Sequence, residues 1–143
     1  MNGDLTRASN ILVSACMGRV RGIDSATGRL LWEVQLQEGG ALTAAIQEAM
    51  EIVVRDDVVL VAPSSTDELT CINYRSGALI GKVKVGIGRK TMLVEDGRIF
   101  VGVSGNVKCL TFQGELLWED HPEGVRGCVA FGFPGNVRQA DQE

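Results

Sequence analysis

The chain has 143 residues, 45% of them hydrophobic, a formal net charge of −4, and 14 basic residues scattered along its length. This is one domain's worth of chain, with enough apolar content for a core, so wholesale disorder is excluded. Scattered cations do not form the concentrated basic face that phosphates require, and no apolar run nears the roughly 18 residues of a membrane span, so neither nucleic acid nor a bilayer is an expected partner.

The N-terminal stretch MNGDLTRASNILVSACMG carries neither the charged n-region nor the long apolar h-region of a secretion signal. Its apolar run, 11–17, is strand-sized. A cassette follows: strand, turn, second strand, reading RVRGIDSATGRLLWE over 19–33. It returns as ELTCINYRSGALIGK over 68–82 and as NVKCLTFQGELLWED over 106–120. Val20, Leu69 and Val107 correspond, as do Gly28, Gly77 and Gly114, while Trp32 and Trp118 share a position with Gly81. Recurrence at roughly 40 residues implies stacked supersecondary units.

Between the first two cassettes the interval is longer by about a dozen residues, most of them in 37–49. Leu42, Ala45, Ile46, Ala49 and Met50 fall at helical spacing there, which predicts a short helix or long loop on one rim. Beyond it, apolar runs before and after Arg55-Asp56-Asp57 and before and after Glu95-Asp96-Gly97 read as hairpins, so each full unit is four short strands. The expected units span about 11–36, 50–86 and 90–120. The first starts with a second strand and lacks an innermost one. Residues 124–138 lie one period after the opening of the third unit and are expected to be the opening strand of a fourth, with Pro134-Gly135 as its turn.

The string 22–32, Gly-Ile-Asp-Ser-Ala-Thr-Gly-Arg-Leu-Leu-Trp, resembles the A-x-D-x-x-T-G-x-x-x-W cassette of the quinoprotein (PQQ-like) β-propeller repeat. The third copy is one residue shorter before its Gly, and the middle copy has Asn73 for the Asp and no Trp. The resemblance implies an all-β propeller of four-stranded blades. Asp24, Gly28, Trp32, Gly77, Gly114 and Trp118 are then structural residues of the repeat, with the tryptophans packing blade against blade. Quinone-cofactor dehydrogenases belong to the same family, but their metal and cofactor residues have no counterparts that can be placed here. No cofactor is therefore expected. Nor is the chain expected to be an anchored lipoprotein, since a lipobox cysteine and signal are lacking.

Three blades cannot close a ring, and open strand edges invite aggregation. The expectation is a homodimer of two three-bladed chains, a six-bladed ring of twofold symmetry in which one chain's 124–138 completes its partner's first blade.

Chemistry-bearing residues are sparse. The single histidine, His121, sits in a loop among Glu119, Asp120 and Glu123, and no nucleophile–base arrangement can be assigned. Cys16, Cys71, Cys109 and Cys128 are widely spaced without a C-x-x-C pair, so buried reduced thiols in a cytoplasmic protein are expected, and no metal site. Cys71 and Cys109 share a repeat position with Gly22, which points to a slot for small residues. Arg21 and Lys108 share another, with Thr70 between them, and Arg89 and Lys90 precede an innermost strand. These four cations are the candidate ligand-binding residues, for a small anion at the ring axis. The function expected is a non-catalytic propeller scaffold for protein interaction or ligand binding; the alternative is an anion-binding protein or enzyme working in the central channel.

Overall fold

A computed structural model describes residues 10–36 and 50–138. The helical spacing read at 37–49 lies outside the described residues, except Met50, which opens a strand.

The described residues form antiparallel sheets and no helix. The first sheet contains β1 (Ile11–Cys16), β2 (Arg19–Asp24) and β3 (Leu30–Gln35), in that order. The second contains β4 (Met50–Arg55), β5 (Val58–Pro63), β6 (Glu68–Asn73) and β7 (Leu79–Lys84). The third contains β8 (Lys90–Glu95), β9 (Arg98–Val103), β10 (Asn106–Leu110) and β11 (Leu116–Asp120). Each strand pairs with its sequence neighbour, as tight hairpins dictate. Asp96 and Gly97 both take positive φ, 54° and 73°, the turn whose twist matches right-handed strands. All three sheets carry the same irregularity between their last two strands, at Gly22/Ile23, Cys71/Ile72 and Cys109/Leu110.

The core lies between sheets. Val20 and Trp32 of the first sheet meet Val59, Val61 and Ile72 of the second. On the opposite face of the second sheet, Leu60, Leu69 and Cys71 meet Met92, Val101 and Leu110 of the third. The second sheet is thus covered on both sides, which explains why β5 is apolar throughout (VVLVAP) and buried along its whole length. Each fully buried Val, Leu or Ile contributes about 1.5–3 kcal/mol relative to exposure. β4 lies beside both β1 and β8, so these three edges approach one another on one side of the stack.

The expected strand opening at Gly124 is shorter than the sequence implies. Residues 124–130 form no strand; Gly124 and Gly127 take positive φ there, and the segment instead packs on the third sheet. Gly105 N donates to Gly127 O at 2.8 Å, and Val129 fills the space a side chain at Gly102 would occupy. Only then come β12 (Phe131–Phe133) and β13 (Asn136–Arg138), a separate two-stranded hairpin. It is docked by side chains: Asn136 Nδ2 donates to Val94 O at 2.9 Å, and Arg138 Nε to Glu51 Oε2 at 2.9 Å. Phe133 rests on Phe100, ring centroids 5.3 Å apart.

Cys71 and Cys109 are buried, in the predicted slot for small residues. Cys16 and Cys128 are exposed, contrary to the expectation of burial: Cys16 ends an edge strand and Cys128 lies in the glycine-rich segment before the hairpin.

Candidate interaction surfaces

Trp32 shows how one sheet grips the next. On β3 it pairs with Gly22, and a Cβ added at Gly22 would lie 2.3 Å from the indole, so only glycine leaves room for the ring to lie flat. From there the indole reaches the second sheet, donating from Nε1 to Tyr74 O at 2.9 Å and covering Gly77. Gly77 has φ +80° and would bring a Cβ within 2.8 Å of the indole, so its lack of a side chain serves both the turn and the contact. Asn73 shapes that turn: its Oδ1 accepts from Arg75 N and Ser76 N at 2.9 and 3.0 Å.

The turn of the first sheet is built in the same way. Asp24 Oδ1 accepts from Ala26 N at 3.0 Å, Gly28 N donates to Asp24 O at 2.7 Å, and Gly28 has φ +79°. Among the described residues, no atom lies within 4 Å of a Cβ added at Gly28, where the counterpart turn carries an indole. In the third sheet Thr111 Oγ1 caps the shorter turn by accepting from Glu115 N at 3.0 Å, and Gly114 sits against Lys82 O of the second sheet.

Trp118 occupies the strand position of Trp32 but is 45% exposed. It pairs with Cys109 rather than a glycine, and its ring leans toward Phe100 at a centroid distance of 6.1 Å.

Tyr74 is the residue that sequence reasoning overlooked. Its hydroxyl donates to Ile11 O at 2.9 Å and accepts from Ile11 N at 3.1 Å, while its carbonyl holds Trp32. It is the chain's only tyrosine and directly follows the turn residue Asn73, which was the available signal.

The four candidate cations are not brought together. Arg21 lies on the third repeat strand of the first sheet, with Nε 3.8 Å from Glu33 Oε1. Lys108 has the same place in the third sheet, with Nζ 3.9 Å from Glu119 Oε1. Such partly exposed pairs contribute about 0.2–1 kcal/mol each. Lys90 is 3% exposed and donates from Nζ to Pro63 O at 2.8 Å and to Thr66 O, so it fastens the β5–β6 connection to β8. Arg89 lines an open cleft of about 560 Å³ with Arg126, Ser104 and Asn106. His121 is exposed, and its Nε2 lies 2.6 Å from Glu119 Oε2; this hydrogen bond holds the Glu119 carboxyl below its ordinary range. Among the described residues no cluster of three His, Cys, Asp or Glu is placed to hold a metal ion.

Repeating units of three and four strands, stacked face to face and joined at the first interface by a Trp-on-turn contact, agree with a likeness to known proteins. A family model for PQQ-like repeats, described as outer membrane protein assembly factor BamB, matches residues 16–135. The chain belongs to the PQQ-like β-propeller repeat family. Its sheets are accordingly blades. Among solved structures, the chain is similar to BamB from Moraxella catarrhalis at 20% identity and a TM-score of 0.60, over 90% of this chain and 39% of that one. It is similar to the computationally designed Ika4 protein at 17% identity and a TM-score of 0.64, over 92% and 84% of the two chains. A europium-containing methanol dehydrogenase matches at 14% identity and a TM-score of 0.58, over 80% and 23%. These likenesses establish the PQQ-like fold alone, and the chain spans well under half of BamB and of the designed Ika8 protein. No curated protein matches in sequence.

Proposed function

We propose that this chain is a non-catalytic propeller scaffold for protein interaction, closed by a second copy of itself into a six-bladed ring. One observation carries the interaction role. Leu30, Leu79 and Leu116 open the outermost strand of successive blades, and all three are exposed, at 42, 59 and 48%. An apolar residue repeated at one exposed position of successive blades offers the kind of surface that a protein contact uses. Four widely spaced cysteines without a C-x-x-C pair fit a reducing cytoplasm as its compartment.

The test is affinity capture from the native extract with the wild-type chain and a Leu30→Ser, Leu79→Ser, Leu116→Ser variant in parallel. Proteins held by the first and lost from the second, with circular dichroism unchanged, support a rim scaffold. Identical capture by both contradicts it.

A second reading rests on the cleft shared by Arg89 and Arg126, two cations convergent with two polar side chains. It makes the protein a binder of small anions. Thermal-shift screening with phosphate, sulfate and carboxylates tests it: stabilisation by one anion class, abolished in Arg89→Ala, supports the reading, and no response to any class sinks it.

A further inference from the structure

Alternation along paired strands gives every blade a leading face and a trailing face. On β3 and β7 the leading residues are Trp32 and Val34, then Gly81 and Val83, because they pair with Gly22, Val20, Cys71 and Leu69. Val34 packs into the core between blades one and two, and Val83 into the core between blades two and three. The trailing residues on the third strand are Thr70 in blade two and Lys108 in blade three, opposite in sense to Leu69 and to Cys109.

Two faces remain outside these cores: the leading face of blade three and the trailing face of blade one. At the Val34 and Val83 position blade three has Asp120, paired with Val107 and exposed. At the Thr70 position blade one has Arg21, exposed beside Glu33. The outer strand thus departs from its apolar pattern at the open face of blade three, where Asp120 replaces Val34 and Val83, and the open face of blade one carries a charge of the opposite sign at Arg21.

The indole and its seat are likewise divided. Trp118 stands exposed on the leading face of blade three, and the Asp24–Gly28 turn of blade one has the hydrogen bonds and φ of the Trp32 seat with no indole on it among the described residues. The inner half of the blade-three face is already covered by the chain's own residues, through Val129 on Gly102 and Phe133 on Phe100. Its outer half, carrying Trp118 and Asp120, is the part left open.

We infer that the leading face of blade three docks on the trailing face of blade one of a second copy, with Trp118 seated on the partner copy's Asp24–Gly28 turn and Asp120 paired with that copy's Arg21. This rests on the two-copy ring proposed above and specifies its interface. The contact continues the Trp32–Gly77 interface already present within the chain. Trp118 pairs with Cys109 where Trp32 pairs with glycine, and its 45% exposure leaves the indole available to the partner.

The experiment measures the dimer dissociation midpoint of the 143-residue chain by analytical ultracentrifugation, for wild type, Trp118→Ala, Arg21→Asp, Asp120→Arg and the double reversal Arg21→Asp/Asp120→Arg. These side chains are exposed, and circular dichroism checks each fold. The expected result is a dimer weakened about tenfold or more by Trp118→Ala and by each single reversal, with most of the loss restored in the double reversal. A dimer indifferent to all four variants overturns this interface while leaving the ring intact. A wild-type monomer at all concentrations overturns both.

Discussion

Trp32, Gly22 and Gly77 form one unit: an indole lying over two positions where a Cβ would come within 2.8 Å or closer. Truncating the ring empties the first blade interface, so Trp32→Ala is expected to cost about 3–5 kcal/mol in urea unfolding, the range for large buried aromatics. Unchanged stability would remove Trp32 from the blade contact. Lys90 has a different kind of importance. Lys90→Met would leave Pro63 O and Thr66 O without their charged donor and is expected to lower stability by about 1–3 kcal/mol; an equal midpoint in urea would contradict that role. Cys71 supplies a pH dependence. Burial raises its pKa from 9.0 to about 11, so the folded state keeps the proton that the unfolded chain begins to release near pH 9. Its contribution is fully present below pH 9 and is lost as pH rises toward 11. Urea midpoints should therefore fall between those values more steeply for wild type than for Cys71→Ala, and parallel curves would refute the assignment. The small-residue slot that holds Cys71 was legible from three aligned sequence positions. The burial of Lys90 was not, because its partners lie 24 and 27 residues away, on the neighbouring blade.

At the scale of elements, strand alternation and turn chemistry made the three sheets readable in advance. β-Branched runs, an Asp-Gly hairpin and recurrent Gly residues each have a local physical cause. The tail was less legible. Period alone implied a strand from Gly124, yet positive φ at Gly124 and Gly127 breaks the extended path, and pairing starts only at Phe131. What docks the resulting hairpin is long-range: Arg138 meets Glu51 across 87 positions of sequence. Glu51→Ala is expected to speed amide exchange in 131–138 by about tenfold, the effect of losing one charge-assisted contact of roughly 1.4 kcal/mol. Exchange unchanged in that segment would show that the aromatic contact alone holds it. The cation positions illustrate the same divide. Repeat register found the equivalence of Arg21 and Lys108, but their cross-strand partners Glu33 and Glu119 follow from pairing register, which puts both pairs on the outer half of the blade.

For the whole molecule, the decisive feature is an arc whose two ends differ in complementary ways. Among the described residues, a turn without an indole and an arginine lie at one end, and an exposed indole and an aspartate lie at the other. Faces left open at both ends would favour uncontrolled association, whereas the proposed twofold ring would cover them with a defined contact. The most direct test is the solution mass of the 143-residue chain, by light scattering after size exclusion across a range of concentrations. Closure by a second copy gives a species of twice the 15.3 kDa chain mass. A stable monomer throughout that range would contradict it.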